Sequence, residues 1–435
     1  MGAQGNRGQR IVIVGGGWSG CAAAIAARQA GAEDVVLLER TDSLLGTGLV
    51  GGIMRNNGRY TAAEEMIALG GGALFEACDE NARHTNLAFP GHAHATIYDV
   101  GRIERAVKDR VLGAGVQVWL QARVNGAERR NGSIGAVTLE NAQRIEADVF
   151  VDTTGSFGPQ SYCTEYGNGC VMCVMRCPTF GPRASLAALA GVTERVGRKA
   201  DGTVGAMSGA CELPKDMIDP EVVHELEAAG VLVLPLPSDA VDESKLGAKV
   251  CQQYSSAEYA HNVVLLDTGR VKLMTTHVPL AQLRRVRGLA NVRYGDPYAG
   301  TIGNSMRFAA LSPRDDCMQV AGVVDNLFCG GEKAGLLVGH TEAIVTGTLA
   351  GHNAARAAAG RPLLKLPATL AVGDAITHVR ESMATPEGMG LKYTFSGAGY
   401  FERMKKLGLY STDRAEVARR VEAAGLAGVF ARALH

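Results

Sequence analysis

The chain has no charge excess of either sign: Lys and Arg number 44, as do Asp and Glu, in 435 residues. A neutral total gives no support for a large nucleic-acid footprint, so no nucleic-acid partner is expected. Nowhere does an uninterrupted apolar run reach the ~18 residues that a membrane-spanning helix needs, which predicts no membrane partner. The opening MGAQGNRGQR is polar and lacks the apolar core of a secretory signal. A myristoylation reading of MGAQGN fails because its sixth residue is Asn6, not Ser or Thr. Low-complexity tracts are missing too, since the 56 glycines fall in short motifs. Ten cysteines without a secretory signal suggest a cytoplasmic protein in a reducing compartment. There, clustered thiols bind metal or do redox work more often than they form structural disulfides.

What is present is an ordinary globular composition, 46% hydrophobic and 20% charged, in a chain long enough for two or three domains. The strongest motif is RIVIVGGGWSGCAAAIAARQAGAEDVVLLER. A β-branched strand from Ile11 to Val14 leads into Gly15, Gly17 and Gly20, a G-x-G-x-x-G. After Trp18, a small-residue helix runs from Ser19 to about Gln29, and a second strand, Val35–Leu38, ends at Glu39 and Arg40. Gly15 allows the tight turn, Gly17 lets the backbone approach a pyrophosphate, and Gly20 lets helix pack on strand. The helix N-terminus offers free N–H groups and a positive dipole end to the phosphates. Glu39 stands where a carboxylate accepts ribose hydroxyls, which favours FAD or NAD over a 2′-phosphate cofactor.

Two later segments select FAD. IEADVFVDTTG is an apolar strand ending at Thr153, Thr154 and Gly155, similar to the "ATG" return strand of glutathione-reductase-type flavoproteins. In NLFCGGEKAGLLVGHTEAIVTGTLAGHNAARAA, strand Leu327–Cys329 meets Gly330 and Gly331, followed by Glu332, Lys333, Gly335 and Gly339. A small-residue helix then runs from about Thr341. Such a helix aims its positive end at the flavin pyrimidine ring, although its Ala and Gly would also serve plain packing. GAGV at Gly113 lies between a helix and a strand, the wrong order for a second dinucleotide motif. No dedicated nicotinamide domain is expected. The electrons would come from a small-molecule substrate, a thiol pair, a protein donor or acceptor, or a transiently bound nicotinamide.

The expected fold class is α/β. A discontinuous FAD-binding Rossmann domain of glutathione-reductase type covers 8–60, 98–160 and 318–360. An inserted α+β substrate or cap domain covers 61–97 and 161–317, and a helical C-terminal region covers 361–435. Within the FAD domain, a helix over Val100–Leu112 and a strand over Val116–Leu120 are expected. Val124 would meet the adenine, and GLVGGIMRNNGRY, from Gly48 to Tyr60, would pass near the isoalloxazine. The insert carries an acidic helix near Asp219–Ala228 and strand-like VVLL and VKLMTTHV runs. In the tail, the Arg and Glu of TDRAEVARRVEAAGLAGVFARAL read as a solvated face. Whether the chain forms a homo-oligomer stays open.

From about Leu283 onward, RGLANVRYGDPYAGTIGNS, the GG-to-helix segment continuing to GRPLLKLPAT, and GDAITHV resemble two related flavoprotein groups. These are the folate-dependent tRNA uracil-5-methyltransferases and the glucose-inhibited division protein A family. The resemblance implies FAD. It does not carry the methyl transfer, because members with that activity hold a Cys in an LVCSNSLRSN-like segment beside the flavin. Here LVGGIMRNN has Gly51 and Gly52 in its place.

A cysteine cluster, CTEYGNGCVMCVMRCP, holds Cys163, Cys170, Cys173 and Cys177 before Pro178. Its last three match the end of a ferredoxin run, C-x2-C-x3-C-P, and all four are candidate ligands of a [4Fe-4S] cluster. The first gap is longer than in ferredoxins. Zinc would need a further pair of N or S ligands. Alternatively Cys170 and Cys173 form a C-x-x-C redox pair working with the flavin, or the four are small buried hydrophobes.

Other polar candidates are His92 and His94, one residue apart on a strand face, with His84 nearby, for substrate or metal. His340 could act as an acid/base at the flavin, and Lys333 could stabilise an anionic flavin. Arg307 and Arg314 are candidate anion clamps. RVKLMTTHVPLAQLRRVRG is the most basic stretch. The leading expectation is an FAD-dependent oxidoreductase moving a hydride or two electrons between flavin and a small substrate, with an iron–sulfur relay at Cys163–Cys177. Folate-dependent RNA methyl transfer and a flavin-bearing electron-transfer subunit are the alternatives.

Overall fold

In the computed structural model, the structure describes residues 9–155, 180, 181, 183–198, 202, 204, 206–208, 211–248, 254–275, 278–295, 305–307 and 310–434. Its central sheet is built from β1 (Arg10–Val14), β2 (Asp34–Leu38), β3 (Gln117–Trp119), β4 (Val149–Asp152) and β5 (Leu327–Cys329). The order is β5-β4-β1-β2-β3, and every pairing is parallel. Ile11, Val12 and Ile13 of β1 are fully buried. A strand covered on both faces has no polar alternation, which is why it reads as a continuous apolar run. This is the parallel Rossmann-type sheet expected of an FAD domain.

Two helices cross tightly beside the sheet. α1 spans Trp18–Gln29 and α2 spans His340–Ala358. A Cβ on Gly347 would overlap the Ser19 backbone carbonyl, and one on Gly351 would overlap that of Ala23. The small residues of α2 therefore serve close packing, whatever its N-terminus also does. The helix expected over Val100–Leu112 runs Ile103–Gly113 instead. Its start is set by Asp99, whose carboxylate accepts the Gly101 N–H and whose carbonyl accepts the Ile103 N–H.

Between β4 and β5 the chain builds a four-stranded antiparallel sheet. Its order is Cys211–Leu213, Val271–Met274, Asn262–Asp267 and Val231–Pro235. The helix Pro220–Ala229 covers it, and Leu213, Val222, Leu226, Val263 and Leu273 share a separate apolar core. A three-stranded sheet, Ile53–Met54, His92–Tyr98 and Ala82–Phe89, lies earlier in the chain. Its strand Ala82–Phe89 is half exposed and repeatedly bulged against its neighbour. That irregularity hides it from a period-2 reading.

The tail forms helices Ala371–Ser382, Ala398–Lys406 and Arg414–Ala423. Arg414, Glu416, Arg419 and Glu422 are exposed, as a solvated face expects, yet two arginines of the tail also reach buried acids. Arg420 reaches within 3.5 Å of the buried Glu65, and Arg414 lies 3.1 Å from Glu64. Glu65 accepts the N–H groups of Ala371 and Val372, both at 2.9 Å, and so caps the first tail helix. Glu65→Ala should leave two buried donors unpaired and destabilise the protein by ~2 kcal/mol or more, read as a lower midpoint in thermal unfolding. No helix among the described residues is long and apolar enough to cross a membrane.

Candidate active site

The carboxyl ends of β1, β2 and β4 and the turn after β5 line one cleft, enclosing about 1130 Å³ of space, some of it open to solvent. Gly15, Gly17, Trp18 and Ser19 line it from the first turn, with Glu39 and Arg40 after β2. Val124, Thr154 and Gly155 follow, then Gly330, Gly331 and Glu332. Gly339 and His340 complete it at the start of α2. Ligands of open α/β sheets bind at this place.

The glycines here do different work. Gly15 has φ +106°, and a Cβ would press on the Thr153 carbonyl. At Gly20 a Cβ would overlap the Gly15 carbonyl oxygen. Gly17 is extended, φ −69° and ψ −176°, and its Cβ would meet nothing within 4 Å. Gly17 thus leaves a gap on the cleft side that the fold itself does not use. Both helices aimed at the cleft have glycine N-caps, Gly17 and Gly339, without a side-chain cap. Their first N–H groups are left to a ligand. Ser19 Oγ is buried on the cleft wall with no partner among the described residues.

Glu39 is held rigidly. Its Oε2 accepts the Gly16 N–H at 2.8 Å, and its Oε1 accepts the Thr41 N–H and hydroxyl, each at 2.8 Å. These three donors leave acceptor capacity on Oε2. At the start of α2, the His340 ring lies 6.0 Å from that of Trp18, and its Nδ1 is 3.2 Å from the Tyr98 hydroxyl.

Several residues expected at the site stand elsewhere. Lys333 is buried, with Nζ 2.7 Å from Glu194 and 3.3 Å from the Ala310 carbonyl, so it faces the insert rather than the cleft. Gly20 packs inside α1. The Gly48 carbonyl accepts the Tyr98 hydroxyl at 2.8 Å. Thr341 Oγ1 is buried 3.1 Å from the Met54 sulfur. Arg314 is not an anion clamp. It is buried, and its guanidinium donates to the carbonyls of Ala334, Asp315 and Ile376. Burial lowers its pKa to about 10. Of Arg307, the structure describes only the backbone.

The three histidines do not meet. His92 is buried against Phe89 and Tyr254 and pairs with Asn56 at 2.8 Å. His94, at φ +59° in the bulged hairpin, pairs with Asn86, and His84 pairs with Asp267. The basic stretch is largely neutralised. Arg270 pairs with Glu212, Arg285 with Asp239 and Arg287 with Glu225.

Cys163, Cys170, Cys173 and Cys177 lie outside the described residues. Among the described residues, no group of three or more His, Cys, Asp or Glu is placed to hold a metal. Burial pushes the thiols of Cys21, Cys78 and Cys329 well above the ordinary range and that of Cys317 up to about 11. Sequence reasoning missed Tyr98, Arg183, and the buried pair of Arg59 and Glu342, 3.0 Å apart. Arg59 and Glu342 sit in remote segments, and no local motif links them.

The family model described as glucose inhibited division protein A matches residues 10–230 and 260–362, well over half of the chain. The chain belongs to this family. The structure of Aquifex aeolicus GidA in its form II crystal is 16% identical, with a TM-score of 0.66. The match covers 95% of this chain and 76% of that one. The form I crystal of the same protein is 15% identical, with a TM-score of 0.61 and coverage of 95% and 78%. These structural likenesses show the shared fold. With the family, the chain is an FAD-dependent enzyme of oxidoreductase type. The cleft fits that cofactor on its own chemistry: an anchored carboxylate, two uncapped helix starts, an unpaired hydroxyl at Ser19 and an open cradle at Gly17.

Proposed function

We propose that this chain oxidises a small-molecule substrate with FAD held in the β1–β4–β5 cleft. The observation that carries the reading is the convergence of two glycine-capped helix N-termini with Glu39 on one cleft. FAD supplies two-electron chemistry, taking up a hydride. Glu39 would accept the ribose hydroxyls, and Val124 would meet the adenine. The α1 N-terminus, with Gly17 and Ser19, would hold the pyrophosphate. The start of α2 at Gly339 favours negative charge on the reduced ring. His340 receives the proton that the substrate loses as the hydride leaves, so both hydrogens and both electrons are accounted for.

Methyl transfer through a flavin-side thiol fits less well. A Cβ on Gly51 would overlap His340, and one on Gly52, at φ +79°, would collide with Thr268. An imidazole fills the space that a thiol would need. Among the described residues nothing is placed to hold an iron–sulfur centre, and the proposed chemistry is written without one. Anaerobically purified protein is expected to lack iron, whereas about four irons per chain would restore a relay at Cys163–Cys177.

The main test is anaerobic titration of the purified flavoprotein with panels of alcohols, amines and hydroxy acids. Bleaching of the flavin absorbance by one class supports the reading. Protein that keeps FAD but is reduced only through a protein partner would instead be an electron-transfer subunit.

A further inference from the structure

We infer that Glu194 is a positioning residue of the cofactor cleft: one of its carboxylate oxygens ties together the two wall segments that end at Ser185 and Lys333. The consequence for FAD rests on the cofactor placement proposed above. The tie itself stands on the contacts.

Three donors converge on Glu194 Oε1. The Ser185 hydroxyl lies at 2.8 Å, the Ser312 hydroxyl at 3.1 Å and the Lys333 ammonium at 2.7 Å. All four side chains are buried. The donors belong to three separate segments. Ser185 directly follows Arg183 and Ala184, which line the cleft, and Lys333 directly follows Gly331 and Glu332, which line it too. Ser312 joins them, because its N–H also donates to the Lys333 carbonyl at 2.9 Å. Glu194 is held in turn by its neighbours: Arg195 and Val196 pair with Leu311 and Ala310 in a short antiparallel ladder.

Charge makes this tie directional. A buried ammonium without an anion is costly, and so is a buried carboxylate without a cation, so each side chain fixes where the other must sit. Hydrogen bonds between ionised partners are roughly twice as strong as neutral ones. Asp152, the buried acid at the end of β4, also feels both charges. Its oxygens accept other donors: the Ala187 N–H at 2.8 Å on Oδ2, and the Thr154 N–H and hydroxyl on Oδ1. Asp152 thus holds the helix turn after Ser185 to the central sheet, while Glu194 holds Ser185 itself to the turn after β5. Walls already ordered in the fold lose less freedom when a dinucleotide binds, which favours affinity. Glu194 is not among the residues that line the cleft, and it acts through Ser185 and Lys333.

The test compares Glu194→Leu with a double variant, Glu194→Leu and Lys333→Met. The single change strands a buried ammonium and should lower the unfolding temperature. The double change removes both charges and should recover much of that loss. Both variants lack the acceptor for Ser185 and Ser312, so both should bind FAD ~10-fold more weakly than the wild type. At saturating FAD, amides of residues 183–189 and 331–335 should exchange their hydrogens faster in both. A merely structural role predicts that FAD affinity returns together with stability. A double variant with wild-type FAD affinity therefore overturns the inference, as does unchanged exchange at 183–189. Should the single variant not fold, the double variant alone decides. No substrate is needed, so loosened walls and weakened FAD with no oxidation found would sink the proposed function and leave this assignment standing.

Discussion

Gly17→Val should fold like the wild type and bind FAD at least ~100-fold more weakly, a loss of ~2.7 kcal/mol. The backbone at Gly17 is extended and open to any residue, and its Cβ direction is empty, so the apoprotein loses nothing. Gly17 lines the cleft, where a backbone N–H must come within hydrogen-bond distance of a phosphate. Branched methyl groups there hold the pyrophosphate off. The measurement is bound-flavin content and FAD affinity, with circular dichroism and unfolding temperature as controls. Gly20→Val is the contrasting variant. Its Cβ overlaps the Gly15 carbonyl, so it should fail to fold whether or not FAD is present. Full FAD occupancy in folded Gly17→Val would refute the cofactor site.

Gly351→Leu should strongly destabilise the scaffold. Its Cβ would overlap the Ala23 carbonyl, and a backbone atom of a buried helix cannot rotate away as a side-chain tip can. The α1–α2 crossing must open, which costs ~3 kcal/mol or more. Because α1 and α2 both aim at the cleft, the separation should also lower FAD retention. Soluble yield, unfolding temperature and flavin content read this out, and a wild-type unfolding temperature would mean the two helices are less rigidly packed than described. A leucine at Gly360, where the chain leaves α2 at φ +63° with open space around the Cβ, should cost far less.

Much of the fold was legible because its signals are local. The β1 strand, its glycine turn, α1, β2 and Glu39 follow one another within a single βαβ unit, and each residue type is required by its neighbours in sequence. The same holds for Leu327–Cys329 and the glycines before α2. The hairpin from Ala82 to Tyr98 was not legible, because bulges break its alternation and put His84, His92 and His94 in three different settings. Arg314 and Lys333 look like surface or cofactor cations in sequence. Only packing shows that one braces backbone carbonyls and the other answers Glu194.

The sequence by itself determined the parallel sheet and the nucleotide turn, since strand period, glycine spacing and a terminal carboxylate are short-range requirements, and two later segments chose FAD by their resemblance to flavoproteins. The tertiary structure alone decided which residues meet at the start of α2. Tyr98, Gly48, Gly51 and His340 are brought together from three distant segments, and nothing local to any of them encodes the meeting. It arises because the three-stranded sheet carries Tyr98 beneath the start of α2, at the one place where a glycine leaves room for an imidazole.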